Sequence, residues 1–204
     1  RRFYLTFNKK LADGIKARLR FEMKHSSFKS SGSLYPYIKD GYLSIEYSKG
    51  HKMVLGISAP PMFKLYEKVY GYRSVEKSPG DLYSIRSSRD FGVGFSGKVM
   101  NKRLKYSFFF GNGDKYSSQE ASSNADNSIY LDLQFKPLRG VTLELYSDAD
   151  IVTRSQEEKW VSQIFAVYEN SKISAGLAAI YSDEGGKFTN IISIPLILKF
   201  EKVN

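Results

Sequence analysis

The chain has 204 residues, of which 42% are hydrophobic and 25% are charged; this excludes a disordered chain, a collagen-like repeat and a coiled coil. It contains no Cys, which excludes disulfides, thiolate metal sites and cysteine nucleophiles. The balance of 31 basic to 21 acidic residues gives a net charge of +10, which favours anionic partners. The longest apolar run, residues 194–198, is far shorter than the roughly 18 residues of a transmembrane helix.

Alternation of apolar and polar residues with a period of two predicts eleven β-strands. The clearest strand is 15–24, where apolar residues at odd positions alternate with charged residues at even positions. In chain order, the predicted strands lie near residues 3–8, 15–24, 42–47, 52–58, 91–96, 104–110, 129–136, 141–146, 159–169, 172–181 and 189–201. Only residues 62–72, after Pro60 and Pro61, have a helical pattern. The sequence therefore predicts an all-β fold.

The predicted connections alternate between tight turns and long loops. Tight turns are expected at 13–14, 49–50, 100–103, 137–140 and 170–171, and longer loops near 25–41, 59–90, 111–128, 149–158 and 182–188. Long loops at one end only are typical of transmembrane β-barrels, which have short periplasmic turns and long extracellular loops. Strands of about 9–11 residues also match a tilted membrane span. We predict one antiparallel β-barrel domain over residues 1–204 in the outer membrane of Gram-negative bacteria.

A soluble ligand-binding barrel with its apolar face inside is the alternative, because alternation alone does not show which face lies inward. Two observations favour the membrane barrel. The apolar faces are bulky throughout, without the small and large alternation that fills a closed interior. The opposite faces mix long charged side chains with Ser, Thr, Gln and Tyr, as expected of a wet lumen. Tyrosines near strand ends, such as Tyr47 and Tyr106, are expected at the membrane–water interface.

Strand parity bears on the start of the barrel. Bacterial single-chain barrels have an even number of strands and short turns in the periplasm. If the turn at 13–14 is periplasmic, an ascending strand should precede Arg1. We therefore expect about twelve strands, of which eleven are visible, and a domain that lacks an N-terminal strand upstream of residue 1.

Several segments carry a resemblance to a known family. They are residues 3–7 with 12–22, then 56–60, then 88–97 with its Arg-Asp-Phe-Gly sequence, and finally 106–113. Over roughly residues 1–150, the chain resembles bacterial outer-membrane porins of the phosphate-selective porin O and P family. The resemblance implies a trimeric, water-filled barrel for passive solute flux. The chain is shorter than such porins and does not end on an aromatic residue.

A ladder of charges on the second strand is the strongest candidate for a pore lining. In a low-dielectric wall, such charges focus the field and raise the local concentration of anions. We therefore predict a preference for anions, in a lumen that is basic along the early strands and more acidic along the later ones. The alternative is an ordinary polar lumen in which acidic residues pair with these bases. The predicted pore-lining residues are Lys16, Arg18, Arg20, Glu22, Lys24, Lys98 and Lys105.

The connection at 59–90 is too long to be a plain connector. In porins, one long loop commonly folds into the lumen and narrows it, and residues 62–70 could form a short helix there. A surface loop outside the membrane is the alternative. The predicted constriction residues are Lys64, Lys68, Arg89 and Asp90.

His25 and Ser27 lie where the second strand leaves the barrel, and a lipid-hydrolysing outer-membrane barrel needs such a pair. No Asn or Asp at a suitable spacing orients the imidazole, so a channel and not an enzyme is the leading interpretation. Two His and no Cys argue against a transition-metal site, and no aromatic–basic RNA-binding motif is present. We expect no cofactor and no nucleic acid partner; the expected partners are small hydrophilic solutes or anions and outer-membrane lipids.

Overall fold

The computed structural model describes residues 2–24, 36–73, 75–113, 127–151 and 158–199. These ranges contain twelve strands: β1 Arg2–Ala12, β2 Ile15–Lys24, β3 Tyr37–Ser48, β4 His51–Ser58, β5 Asp90–Val99, β6 Leu104–Gly111, β7 Asn127–Phe135, β8 Val141–Ile151, β9 Lys159–Glu169, β10 Ile173–Glu184, β11 Lys187–Ser193 and β12 Leu196–Leu198. Two short helices, α1 Lys64–Tyr70 and α2 Pro79–Leu82, lie between β4 and β5. Neither described helix has the length and apolar character needed to cross a membrane.

All strands belong to one antiparallel sheet in which consecutive strands are neighbours from β1 to β11. β11 pairs with the last part of β10 and β12 pairs with its first part. Pro195 lies between them and has no N–H for the ladder, so β11 and β12 form one edge with an interruption. The predicted antiparallel all-β meander is confirmed, with its eleventh strand divided in two. Within the described ranges β1 and β11 do not pair, so the sheet is open.

The tight turns at one end of the sheet fall where the sequence predicts them. Gly14 and Gly50 have φ values of 75° and 81°, which suit two-residue hairpin turns and which glycine adopts without steric cost. The longer loop predicted near 182–188 is wrong. β10 continues to Glu184 and β11 begins at Lys187, so two glycines complete the turn.

The two faces of the sheet differ chemically, and the register connects each face across the strands. One row runs Glu46, Lys52, Ser96, Ser107, Asp132 and Tyr146. We call the face that carries this row the inner face and the opposite one the outer face. On β7 and β8 the inner face is buried, whereas Leu131, Leu143 and Leu145 of the outer face are exposed. Other exposed apolar residues of the outer face include Phe3, Leu19, Leu43, Phe91, Phe110, Ile164, Leu177 and Phe188.

Candidate functional site

The described residues between β4 and β5, 59–73 and 75–89, are here called the inner segment, and their buried apolar side chains pack on the inner face of the sheet. Three of its residues, Met62, Phe63 and Ile85, pack in one cluster with Phe109, Tyr130, Tyr146, Val161 and Ile180 of the strands. A second cluster joins Leu65, Tyr66 and Val69 of α1 to Phe165, Val167 and Ala178 of β9 and β10. The hydroxyl of Tyr66 also hydrogen-bonds that of Ser193 on β11 at 2.8 Å. These contacts place the segment on the inner face and not on the outer surface.

Local sequence explains why α1 forms. Leu65, Tyr66 and Val69 make one apolar stripe at helical spacing, and all three are buried. The helix ends at Gly71, which has a left-handed conformation and donates its N–H to the carbonyl of Glu67 at 3.0 Å. Glycine favours this position because it adopts a positive φ without a Cβ clash. The helix therefore turns its apolar stripe toward β9 and β10.

A buried ion-pair cluster fixes the end of the inner segment to β8. Arg86 is 3% exposed, and its Nε donates to Oδ1 of Asp148 at 2.8 Å while its Nη1 donates to Oδ2 of Asp150 at 3.0 Å. The hydroxyl of Tyr146 also donates to Asp148. Removing one partner of such a pair would leave an uncompensated buried charge. We call Arg86, Asp148 and Asp150 the latch.

Asp90, predicted to belong to the constriction, is instead buried at the start of β5. Its carboxylate accepts hydrogen bonds from the backbone N–H groups of Phe91, Asn112 and Gly113 and from the hydroxyl of Tyr130, at 2.7 to 3.2 Å. A Cβ at Gly111 would lie 2.2 Å from Oδ2 of Asp90, so the carboxylate reaches these donors because residue 111 has no side chain. Asp90 ties β5 to β7 and lines neither the arginine-lined nor the lysine-lined cavities of the interior.

Three arginines converge on one carboxylate beside the inner segment. Nε of Arg18 and Nε of Arg20 lie 2.9 and 3.4 Å from Oδ2 of Asp40. Nε of Arg89 donates to Oδ1 of the same residue. All four side chains line a cavity of about 260 Å³, which we call the arginine cavity. Lys64 also lines it, so four cationic side chains and one carboxylate share the lining.

Toward the tight turns, the interior is rich in lysine. Two cavities of about 680 and 350 Å³ share Lys64, Lys98, Lys102 and Lys105 in their linings; we call them the lysine cavities. The larger is also lined by Lys49 and Lys52, and the smaller by Lys68, Arg103 and Lys136. No described Asp or Glu lines either cavity. Positive charge is therefore concentrated in this part of the described interior.

Lys64 lines all three cavities, so this residue lies where they meet. Its side chain keeps contact with the open space, while protein atoms surround it on most sides. Burial, helped by the positive charges of Lys105, Arg89 and Lys52 and opposed by Asp132, lowers its pKa from 10.5 to about 8. Lys64 is therefore protonated at neutral pH and loses its charge under mildly alkaline conditions, well before an ordinary lysine.

Carboxylates are concentrated on the neighbouring strands β7 and β8. Nε2 of Gln134 donates to Asp132 at 3.1 Å and to Glu144 at 3.0 Å. Nε2 of Gln163 donates to the other oxygen of Glu144 at 2.8 Å. Lys105 connects the two walls, since its Nζ donates to Oε1 of Gln134 at 3.3 Å. The interior thus has a lysine-rich side on β4 to β6 and an acidic side on β7 and β8.

The structure places some of the predicted pore-lining residues at cavities and others elsewhere. Arg18 and Arg20 line the arginine cavity, and Lys98 and Lys105 line the lysine cavities. Lys16 is exposed and lines none of the three. Glu22 is buried, and one of its oxygens lies 3.2 Å from Nζ of Lys39. The side chain of Lys24 and the candidate catalytic pair at positions 25 and 27 lie outside the described residues.

The predicted constriction residues are also divided. Lys64, Lys68 and Arg89 line cavities, whereas Asp90 does not. Sequence reasoning missed Asp40, which precedes the predicted third strand, and Arg86, which lies in a loop without periodic pattern. It also missed Lys52, although its parity on the fourth strand points to the inner face.

No described group of three or more His, Asp or Glu residues is arranged to hold a metal ion. Compared with known proteins, the chain matches no protein-family model and no curated protein.

Proposed function

We propose that this chain forms a porin-like channel in the bacterial outer membrane, with its sheet closed into a barrel and with a preference for small anions. The carrying observation is the inverted polarity of the sheet. Asp132 and Glu144 are 0% and 3% exposed on the inner face, while Leu143 and Leu145 are 44% and 53% exposed on the outer face. Soluble monomers rarely expose contiguous apolar patches larger than a few hundred Å². Hydrocarbon around the outer face would remove this apolar surface from water.

Aromatic residues at both ends of the strands support a membrane position. At the loop end, the ring of Tyr181 lies 6.1 Å from Trp160 and 6.2 Å from Phe188. At the turn end, Tyr168 is exposed on β9. Trp160 and Tyr168 are eight residues apart on that strand, which is about 27 Å at about 3.4 Å per residue. Transmembrane barrels have an apolar band about 25 Å tall between two aromatic girdles. Because the strands are tilted, the height between Trp160 and Tyr168 along the membrane normal is somewhat less than their separation along β9.

The charge of the interior supports the preference for anions. The lysine cavities hold no described carboxylate, and the arginine cavity holds one among four cations. The inner segment, held by the latch, occupies the space between the walls and would narrow the path. A solute crossing such an interior meets positive charge on both sides of Lys64. Cations would be repelled there, and anions would be concentrated.

Planar lipid bilayers test the proposal. Protein folded in detergent and added to a bilayer under a KCl gradient should produce discrete conductance steps with a reversal potential of anionic sign. The preference should weaken as salt rises, since the screening length falls from about 10 Å at 0.1 M to about 3 Å at 1 M. A folded chain that stays soluble without detergent, or one that never conducts, would contradict the proposal.

A further inference from the structure

The guanidinium groups of the arginine cavity are held in fixed positions. Arg18, Arg20 and Arg89 each direct Nε to Asp40, and Nε of Arg20 also donates to the hydroxyl of Thr6 at 3.1 Å. The three side chains are between 18% and 27% exposed. Planar groups that are anchored at Nε keep the direction of their remaining N–H donors. The cavity is therefore pre-organised for a group that accepts several hydrogen bonds.

The terminal nitrogens of these arginines retain donor capacity. Within the described residues, neither terminal nitrogen of Arg20 has a hydrogen-bond partner. Nη1 of Arg18 donates to the side-chain oxygen of Asn8, and Nη1 of Arg89 donates to the carbonyl of Ser88. Among the described residues, Nη2 of each arginine then remains as a donor for a ligand. Guanidinium groups bind carboxylates through two parallel hydrogen bonds, a geometry that lysine does not offer.

The rest of the cavity lining is partly apolar. Val54, Ala59 and Phe109 contribute to it. Val54 and Ala59 are half-buried, whereas Phe109 is 4% exposed and presents little surface. The ring of Phe109 rests against Gly94, where a Cβ would lie 2.7 Å from the ring. Its position therefore depends on the missing side chain at residue 94. An anion in this cavity would contact hydrocarbon as well as guanidinium groups.

We infer that the arginine cavity is a binding subsite for a small organic carboxylate, with the carboxylate on the free guanidinium donors and the apolar body against Val54, Ala59 and Phe109. The volume of about 260 Å³ lies below the roughly 300–1,000 Å³ of pockets for drug-sized ligands, which limits the ligand to a compact one. Leu65 is the one aliphatic or aromatic residue in the described linings of the lysine cavities, so they attract small anions without this selectivity. This subsite deepens the proposed function and rests on it, because a solute must enter the interior through the channel to reach the cavity.

Equilibrium binding in detergent tests the subsite without requiring conductance. Benzoate, acetate and inorganic phosphate are titrated into the folded full chain by calorimetry, with detergent alone as the blank. Benzoate should bind saturably and at least tenfold more tightly than acetate or phosphate. Arg20→Gln should weaken benzoate binding by about tenfold or more, because it removes a charged donor to a carboxylate. Arg89→Gln repeats the test from the inner segment, in case the strand variant fails to fold.

Lys172→Gln is the matched control, since it removes one positive charge from an exposed turn residue that does not line the cavity. It should leave the benzoate affinity unchanged. The inference is overturned if benzoate does not bind saturably, if acetate or phosphate binds as tightly, or if the control weakens binding as much as the arginine variants. A chain that conducts anions but does not bind benzoate would contradict this inference alone. A chain that binds benzoate but never conducts would contradict the channel alone.

Discussion

Replacing Arg86 by Met tests whether the latch holds the inner segment against the inner face of the sheet. The change keeps much of the side-chain volume but leaves Asp148 and Asp150 without their guanidinium partner. Asp148 is 2% exposed, so its charge would remain buried and uncompensated. Breaking a buried pair in this way costs about 3–5 kcal/mol. We expect a loss of that size in the free energy of unfolding.

Arg73→Met is the matched control within the same segment. Arg73 also pairs with two carboxylates, those of Glu67 and Asp81, but its side chain is 34% exposed. Because solvent screens such pairs, each contributes only about 0–1 kcal/mol. The control variant should therefore be destabilised far less than the latch variant.

Urea unfolding in detergent, followed by Trp160 fluorescence, measures both variants. The indole is the only one in the chain, and it adjoins Lys159, whose carbonyl accepts a hydrogen bond from Arg86 at 3.3 Å. Adding Asp148→Asn and Asp150→Asn to the latch variant should recover part of the lost stability, because the unpaired charges are then gone. Equal destabilisation by Arg86→Met and Arg73→Met would refute the reasoning.

Four further predictions concern anion selectivity, the pH dependence of that selectivity, the pH dependence of stability, and membrane position. Replacing Arg18 and Arg20 by Glu should reverse or abolish the anion preference, and an unchanged reversal potential in a bilayer would show that these residues do not line the path. The anion preference of the parent should fall between pH 7 and pH 9 as Lys64 loses its proton, because its pKa is about 8; in Lys64→Met this step should be missing. The lowered pKa of Lys64 also affects stability. Between about pH 8 and 10.5, the unfolded chain holds this proton more often than the folded chain, so the free energy of unfolding should rise with pH. The urea midpoint of the parent should therefore rise with pH relative to that of Lys64→Met. Leu145→Arg on the outer face should cost about 2–4 kcal/mol in lipid vesicles, whereas Thr142→Arg, facing the lysine-rich interior, should not show this lipid-dependent loss.

Strand positions could be predicted from the sequence because the face of a strand residue is a local property. The second strand has the same bounds in prediction and structure, and the inner-face parity of Lys98 and Lys105 is seen in their pairing. The contacts of the inner segment with the sheet could not be predicted in this way, because they join residues that are far apart in the sequence. Arg86 and Asp148 are 62 residues apart, and no periodic pattern connects them. The burial of Asp90 could not be predicted either, because the sequence does not distinguish an exposed charged residue of a loop from a carboxylate that accepts buried hydrogen bonds.

Pro195 makes the two edges of the sheet unequal as templates for pairing. The edge of β11 and β12 offers backbone donors in two stretches of seven and three residues, while β1 offers eleven residues without a break. A strand from a second molecule would form a longer ladder along β1, and open edges of this kind are where sheets associate or aggregate. In a preparation of these 204 residues, association between chains before the proposed barrel closes should therefore involve β1, and a proline introduced within that strand should suppress it.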